Sequence, residues 1–414
     1  MKLRPLAFAL MMAATAWPAA RPAPRKVAAK KPVVKRPTRA AFSAAARAKA
    51  RQEISAMIAA DNLGLENADA LAPFFAALAK PDGPLHILQF GDSHTASDDL
   101  VNSLRTVLQS KYGNGGPGFI HAGRPFKGYR RFDARATATP HWKSEGTLQN
   151  RGDAWQGLGG ISISTTQPKQ TITVDSSGQH LALHFLRQEN GGRVEINADG
   201  QLTEMIQTNG APGAGLWEAQ LTPGEHLVGL RTLDKAPVRL FGWTLENPTG
   251  VTVETLGING AWNNIMLAWD NAVWSAQFAS RQPALIILEY GTNEANSRVW
   301  DATRHRTDLT AIISRIRQAA PQASILMMGP PDCGQKKPLL HLDDVIQSQR
   351  QFAREQNIAF FDWRAHMGGD RSVIQWVTAG FGQRDYIHLT SDGYRLTAQM
   401  LLTALDQAAT PSKP

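Results

Sequence analysis

The sequence contains very little cysteine: Cys333 is the only one among 414 residues. A single cysteine excludes an internal disulfide, so the stability of the folded chain must come from its apolar core. Cys333 lies in a Pro-Pro-Asp-Cys-Gly segment with no general base beside it, which favours a structural residue over a thiol nucleophile. The eleven histidines show no metal-ligand spacing. We therefore expect neither a metal ion nor another cofactor.

Long apolar runs are also missing, and a helix that spans a bilayer takes roughly 20 apolar residues. Residues 1–20 are instead typical of an export signal, in which Lys2 and Arg4 precede a short apolar run at 6–15 and an Ala-x-Ala cleavage point lies at 14–16. No lipobox cysteine follows. We expect cleavage and release to the periplasm or the medium, with an uncleaved membrane anchor as the alternative.

Acidic side chains are absent from residues 1–40, which carry ten of the 44 Lys and Arg residues. The rest of the chain has 34 basic residues (44 − 10) against 35 acidic ones, a net charge of −1. Residues 21–40 mix Pro, Ala, Val, Lys and Arg without amphipathic period, which predicts a disordered linker. Such a tail could be attracted to an anionic wall or membrane surface, or it could be only a spacer. The sequence contains no nucleic-acid recognition motif.

Beyond the linker, strand-like apolar runs alternate with helical patterns, after a helical lead-in at about 41–80. This rhythm predicts an α/β domain over 41–128 and 249–414, with a five-stranded parallel sheet covered on both faces. Sites in such sheets form outside the carboxyl ends of the strands. The five predicted strands are Leu85–Phe90, Val251–Ile258, Ala284–Tyr290, Ser324–Met328 and Ile358–Phe361.

The rhythm breaks between the first two strands. Residues 129–248 consist of short β-type segments separated by Gly, Pro, Asn and Asp. Regular short strands with turn signals predict an antiparallel β-sandwich, inserted into the first crossover of the α/β domain. Four tryptophans of this insert fit sugar stacking and core packing equally well. They are Trp142, Trp155, Trp217 and Trp243.

A Gly-Asp-Ser-His segment at 91–94 directly follows the first predicted strand. Ser93 would lie at a helix N-terminus, where free backbone N–H groups favour developing negative charge. It could be a nucleophile or only a helix cap. His94, immediately beside it in sequence, should point elsewhere and fits a local hydrogen bond better than a catalytic base. No Gly-x-Ser-x-Gly elbow surrounds Ser93, which argues against the α/β-hydrolase fold.

Two further polar segments occupy equivalent places in the pattern. Asp385 and His388 precede the last predicted helix, and Asn293 closes the third strand. An Asp three residues before a His can accept its Nδ1–H, which leaves Nε2 to take a serine proton. The Asn293 amide could donate to an oxyanion. Taken singly, each segment also fits an ordinary turn or helix start.

Together these segments resemble the blocks of the SGNH (GDSL) hydrolase superfamily, in the same order. The matching positions are Gly-Asp-Ser at 91–93, Gly-Ile-Asn-Gly at 257–260, Gly-Thr-Asn at 291–293 and Asp385-x-x-His388. The resemblance implies a flavodoxin-like, three-layer fold. It also implies Ser93 as nucleophile, His388 as base and Asp385 as its orienter, with the Ser93 N–H, the Gly260 N–H and the Asn293 side chain as oxyanion donors. The third block usually ends in Asp and here ends in Glu294.

Longer segments resemble bacterial peptidoglycan O-acetylesterases and periplasmic polysaccharide O-acetyltransferases, which carry a carbohydrate-binding-like insert at this position. The resemblance covers residues 70–408 and implies acyl transfer from an acetylated polysaccharide, either peptidoglycan or an exopolysaccharide such as cellulose. Hydrolase and transferase stay open, as does a non-catalytic glycan-binding or assembly protein. The segments are Phe-Gly-Asp-Ser-His-Thr-Ala at 90–96, Tyr-Gly-Asn-Gly-Gly-Pro-Gly-Phe at 112–119, Gly-Ile-Asn-Gly-Ala at 257–261 and Tyr-Gly-Thr-Asn-Glu-Ala at 290–295.

Overall fold

The computed structural model describes residues 42–334 and 338–409. The predicted export signal, 1–20, and the predicted basic linker, 21–40, lie outside the described residues. Within those two ranges, no helix combines the length and the apolarity needed to cross a membrane.

The described chain forms sixteen strands, most of them short and clustered in the middle of the sequence. In chain order they are β1 (Pro84–Gly91), β2 (Gly118–His121), β3 (Arg135–Ala138), β4 (Lys143–Glu145), β5 (Ser162–Thr165), β6 (Thr171–Ser177), β7 (His180–Arg187), β8 (Arg193–Ala198), β9 (Leu202–Gln207), β10 (Gly213–Gln220), β11 (Glu225–Thr232), β12 (Val238–Glu246), β13 (Gly250–Gly257), β14 (Leu285–Glu289), β15 (Ser324–Met328) and β16 (Ala359–Phe361).

Helices lie before, between and after the strands of the α/β domain, together with 3₁₀ turns at Ala68–Leu71 and Asn263–Ala268. The α-helices are α1 (Ala44–Ala59), α2 (Ala72–Ala79), α3 (Ser93–Ala96), α4 (Asp99–Tyr112), α5 (Asn271–Arg281), α6 (Thr292–Ala295), α7 (Ala302–Ala319), α8 (Leu342–Glu355), α9 (Trp363–His366), α10 (Ser372–Ala379) and α11 (Ser391–Ala409).

The five parallel strands form one sheet in the order β13-β1-β14-β15-β16. Numbered along the chain, this is the order 2-1-3-4-5 of flavodoxin-like folds. The central strand β14 is an apolar run up to Glu289 and is buried from 285 to 289, as expected where helices cover both faces of a sheet. Separate clusters of buried apolar side chains lie on the two faces. The predicted α/β fold class with a five-stranded parallel sheet is confirmed.

Two antiparallel sheets lie between β1 and β13 in sequence, which confirms the predicted inserted β-sandwich. One has the order β10-β7-β12-β5-β4, with β2 also paired to β12, and the other has the order β3-β6-β11-β8-β9. Alternating buried and exposed residues along β11 place one face of its sheet against the core. The first antiparallel strand begins at Gly118, upstream of residue 129, because Phe119 pairs with Thr244.

Tryptophans of the insert contribute to its interior. Trp243 is fully buried in the cluster between the sheets, and Trp142 and Trp217 pack against the same cluster while partly buried. Trp155 packs against a smaller buried group. Core packing therefore accounts for Trp243.

Buried ion pairs connect the start of the insert to helix α4. Arg105 Nη2 lies 2.9 Å from Asp98 Oδ1, and Arg105 Nε lies 3.1 Å from Asp133 Oδ2. Arg131 Nη2 lies 2.8 Å from the same Asp133 oxygen. Removing one partner of a buried pair leaves an uncompensated charge, so these pairs fix the insert against the helix that follows the nucleophile segment.

Candidate active site

Ser93 is the first residue of the short helix α3, directly after the carboxyl end of β1. Asp92 caps this helix, and its Oδ1 accepts the His94 N–H at 2.9 Å. The Ser93 N–H has no acceptor within residues 42–334 and 338–409. The serine therefore combines an accessible hydroxyl with an unpaired backbone donor at a helix start, where negative charge is stabilised.

Three side chains from two distant segments form one chain of hydrogen bonds. Ser93 Oγ lies 2.8 Å from His388 Nε2, and His388 Nδ1 lies 2.7 Å from Asp385 Oδ2. The carboxylate favours the tautomer with hydrogen on Nδ1, which turns the Nε2 lone pair towards the serine hydroxyl. This arrangement can remove a proton from Ser93.

The Asp385 carboxylate is held by its own loop. Its Oδ1 accepts the Ile387 and His388 N–H groups, each at 3.0 Å. Partial burial would raise the pKa of Asp385, but the hydrogen bond from His388 and these two N–H groups outweigh it and hold the pKa below its ordinary value. Asp385 is therefore an anion next to His388 at neutral pH.

Asn293 lies at the start of the short helix α6, close to Asp92 and to the loop that follows β13. Its Nδ2 lies 3.0 Å from Asp92 Oδ2 and 3.1 Å from the carbonyl oxygen of Ala261, and it donates to both. Gly260 precedes Ala261 and adopts a left-handed conformation, with φ of 77°. Its N–H has no acceptor in the described part of the chain. The structure thus brings Asn293 and the Gly260 loop together beside Asp92.

A buried carboxyl group beneath the site was not predicted. Glu289, the last residue of β14, accepts a hydrogen bond from Thr95 Oγ1 at 2.9 Å. Gln89 Nε2 donates to the same hydroxyl at 3.0 Å. Burial, reinforced by the nearby Asp92 carboxylate, raises the pKa of Glu289 well above its ordinary value. The only sequence signal was an acid at the end of an otherwise apolar strand.

Burial also raises the pKa of Asp92 itself, to about 6, although the hydrogen bond from the His94 N–H works in the opposite direction. Asp92 therefore remains mostly ionised at neutral pH and can accept from Asn293. It gains its proton at a higher pH than an ordinary aspartate does.

Glu294, which departs from the usual Asp of the third block, connects two of the blocks. Its Oε1 accepts the Asn263 N–H at 2.8 Å, and the side chain is buried. Burial raises the pKa of Glu294 to about 8. The longer side chain thus reaches the loop after β13 and fixes the backbone three residues beyond Gly260.

His94 serves a different purpose from His388. Its Nδ1 lies 2.9 Å from the hydroxyl of Tyr394 on α11, and the ring is fully buried. Burial lowers the pKa of His94 to about 3, so the ring is neutral. Its ring centroid lies 5.3 Å from that of His388. The expected local hydrogen bond is therefore made to a residue far along the chain.

Two glycines of the blocks are required by close approach. A Cβ on Gly91 would lie 2.2 Å from Thr95 Oγ1, and a Cβ on Gly257 would lie 2.3 Å from the Ala96 nitrogen. Any side chain at these positions would push α3 away from the sheet edge. The glycines therefore set the position of Ser93.

The described residues bring one set of three metal-ligand side chains together, away from Ser93: His86, Glu246 and Glu254. Arg281 lies among them, with Nη2 2.9 Å from His86 Nδ1, and it hydrogen-bonds both glutamates. The guanidinium supplies the positive charge that a metal ion would bring, so these residues fit a buried ion pair better than a metal site.

Comparison with known proteins finds one matching family and several similar structures. The GDSL-like Lipase/Acylhydrolase family matches residues 223–396, a span that includes Asn293 and His388. No curated protein sequence matches the chain. A solved peptidoglycan O-acetylesterase is 29% identical, with 82% of this chain and 97% of that chain covered and a TM-score of 0.70.

Family two carbohydrate esterases are more distant matches. The enzyme from Clostridium thermocellum with cellohexaose is 12% identical, covers 59% of this chain and 94% of its own, and has a TM-score of 0.32. The enzyme from Cellvibrio japonicus is 13% identical, with 67% and 98% covered and a TM-score of 0.30. The predicted resemblance to SGNH hydrolases is confirmed by the family match and the peptidoglycan O-acetylesterase structure, and with it the prediction of an SGNH-type ester hydrolase or acyltransferase.

Proposed function

We propose that Ser93, His388 and Asp385 form the catalytic triad of an exported enzyme that removes or transfers O-acetyl groups of a cell-wall or secreted polysaccharide. The observation that carries the proposal is the 2.8 Å contact between Ser93 Oγ and His388 Nε2, across 295 residues of sequence. Asp385 completes the arrangement on the far side of the imidazole.

The proposed reaction has two steps. Ser93 Oγ attacks the acetyl carbonyl carbon while His388 Nε2 takes its proton, and the imidazolium then gives that proton to the departing sugar oxygen. The acetyl group is left on Ser93. Water or a second sugar hydroxyl, deprotonated by His388, attacks the acetyl-enzyme and releases acetate or an acetylated acceptor.

The oxyanion of each tetrahedral intermediate would be bound by the Ser93 N–H, the Gly260 N–H and Asn293. Both backbone donors are unpaired within the described chain. Asn293 Nδ2 already lies within hydrogen-bond distance of Asp92 and of the Ala261 carbonyl. We propose that the oxyanion replaces the Ala261 carbonyl as acceptor, while the bond to Asp92 keeps the amide oriented.

The choice of an acetylated polysaccharide is supported by the peptidoglycan O-acetylesterase, of which 97% is covered. An exopolysaccharide such as cellulose is the alternative substrate. Export through residues 1–20 and attraction of residues 21–40 to an anionic wall or membrane surface belong to the same proposal, since ten basic and no acidic side chains lie in residues 1–40.

The test is acetate release from acetylated peptidoglycan, acetylated cello-oligosaccharides and 4-nitrophenyl acetate, each with and without an added sugar acceptor. Ser93→Ala should lose about five to six orders of magnitude in kcat, as expected when a triad nucleophile is removed. A fluorophosphonate should label wild-type Ser93. Acceptor-dependent loss of free acetate would identify a transferase.

The matched control is Ser103→Ala on α4, because the Ser103 hydroxyl donates to the Asp99 carbonyl and makes no contact with His388. It should keep wild-type activity. Acetyl-ester hydrolysis at the wild-type rate by Ser93→Ala would contradict the proposal, and so would phosphonate labelling at another residue.

A further inference from the structure

A cavity of about 580 Å³ lies between the insert and the α/β domain. Its walls come from the insert at 146–156, from the loop and 3₁₀ turn at 260–269 and from the start of α7. Gly260 is part of its lining, whereas Ser93 and His388 are not among the described residues that line it. The cavity therefore meets the proposed acyl site at the Gly260 backbone and extends away from it.

Two arginines in this lining have guanidinium groups without a hydrogen-bond or ion-pair partner among the described residues. Arg151 comes from the insert and Arg304 from α7, and both are exposed to solvent. Neither side chain has a hydrogen bond or an ion pair with any residue of 42–334 or 338–409. In most of the other arginines near the insert, by contrast, a carboxylate is close: Arg239, for example, lies 2.6 Å from Asp153.

The two carboxylates of the same lining have different partners. Asp153 is paired with Arg239, whereas Asp308 accepts a hydrogen bond at 3.2 Å from the neutral amide of Asn264, another residue of the lining. Arg304 precedes Asp308 by one helical turn, and a basic residue ahead of an acidic one is the weaker order for such a pair. The cavity thus presents two guanidinium groups, and neither forms an ion pair with a carboxylate of the described residues.

We infer that this cavity is a subsite for a carboxylate-bearing glycan, with Arg151 and Arg304 binding the carboxylate and Trp262 lying against a sugar ring. The inference rests on the proposed function and adds a charge requirement to its substrate. Guanidinium groups bind carboxylates through two parallel hydrogen bonds. A half-buried Trp262 side chain on the same wall offers an apolar face beside them.

A neutral glycan fits this cavity less well. Covering the two guanidinium groups with uncharged sugar would remove water from them without supplying a counter-charge, which is unfavourable. A glycan with a carboxylate on the same or a neighbouring sugar would provide that counter-charge. The subsite therefore separates acidic polysaccharides from neutral ones such as cellulose.

The test compares O-acetylated N-acetylglucosamine–N-acetylmuramic acid oligosaccharides whose lactyl carboxylate is free or converted to an amide. The two probes share sugar and ester and differ in charge. Wild type should show a kcat/KM at least about tenfold higher for the free acid, the effect of one charge-assisted hydrogen bond. Arg151→Gln and Arg304→Gln should each remove most of this preference, by raising KM for the free acid more than KM for the amide.

Matched controls are Arg187→Gln on the insert and Arg298→Gln in the α/β domain, two exposed arginines outside the cavity. Both should keep the wild-type preference. Equal loss on the acid and the amide in the Arg151 and Arg304 variants would overturn the inference, and so would a wild type that prefers the amide or a neutral acetylated cello-oligosaccharide.

A separate measurement distinguishes failure of the subsite from failure of the catalytic proposal. Calorimetric titration of the Ser93→Ala variant with the two oligosaccharides reports on binding without turnover, whereas 4-nitrophenyl acetate hydrolysis by wild type reports on the triad alone. Equal binding of acid and amide would reject the subsite even in an active esterase. Tighter binding of the acid would support it even if acetate release failed.

Discussion

Two aspartates hold side chains of the proposed active site, and their surroundings differ. Asp92 is fully buried and holds Asn293, whereas the Asp385 side chain is 42% exposed and holds His388. Burial raises the pKa of Asp92 to about 6, while the hydrogen bonds to Asp385 overcome its partial burial and lower its pKa. As pH falls from 7 to 5, Asp92 therefore takes up a proton before Asp385 does.

The comparison shows how environment assigns different tasks to the same side chain. An exposed carboxylate can stay charged and stabilise an imidazolium that appears and disappears during the reaction. A buried carboxylate gains more from fixed donors that satisfy it permanently, such as the His94 N–H and the Asn293 amide. Asp385 thus stabilises a charge that changes during the reaction, and Asp92 holds the Asn293 side chain in a fixed position.

Among the variants that test this comparison of the two aspartates, Asp385→Asn should have the largest effect. An amide in place of the carboxylate would favour the wrong tautomer of His388, and kcat should fall about 10⁴-fold while the fold is retained. Acetate release would measure kcat, and circular dichroism would show whether the fold is retained. The control is Asp392→Asn at the start of α11, which should keep wild-type activity. A loss below tenfold for Asp385→Asn would show that His388 does not depend on this carboxylate.

A smaller effect is expected from Asp92→Asn. The new amide would place a donor against the Asn293 Nδ2 donor and release it, which should cost about 10²- to 10³-fold in kcat, the usual range for loss of one oxyanion donor. Asn293→Ala should cost about the same. The double variant should be no worse than Asn293→Ala alone, because one interaction is removed twice. Additive losses would indicate that Asp92 acts independently of Asn293.

The smallest effect on activity is expected from Glu294→Gln, since the amide oxygen can still accept the Asn263 N–H. Its effect on stability should depend on pH. The pKa of Glu294 is raised from 4.5 to about 8 in the folded protein, so the neutral carboxyl stabilises the fold fully below pH 4.5. That contribution is lost as pH rises through 8.

Urea unfolding of wild type and Glu294→Gln at pH 5 and pH 9 would measure this loss. The wild type should lose up to several kcal/mol relative to the variant between the two values. Glu355→Gln, in an exposed ion pair with Arg306, is the control and should show a small change. Parallel stability of wild type and Glu294→Gln across this range would mean that Glu294 stays charged in the fold.

Much of the fold could be predicted from the sequence, because apolar runs ending at polar turns mark buried parallel strands. The sequence also located Ser93, Asn293, Asp385 and His388 at strand or loop ends. Glu289 could not be identified, since an acid after four apolar residues equally marks a strand that ends in solvent. Its burial depends on α3 lying over it, a contact between segments far apart in sequence.

The loop after β13 shows a second limit. Residues 261–279 have the apolar spacing of a single helix, but Asp270 accepts the Val273 N–H and begins a separate helix there. A capping side chain inside an apolar pattern interrupts the helix without changing the periodicity. The break produces the 3₁₀ turn that lines the cavity beside Gly260.

The pairing of β2 with β12 has a consequence for how the chain folds. Partners β1 and β13 of the parallel sheet are separated by the whole insert, and closing a loop costs more entropy as it lengthens, by about 0.6 kcal/mol for each doubling. Pairing of Gly118 with Leu245 brings the two ends of the insert side by side. Once that pair has formed, β12 reaches β13 through residues 247–249, and β1 reaches β2 through α3 and α4. The loop that must close between β1 and β13 then no longer includes the whole insert.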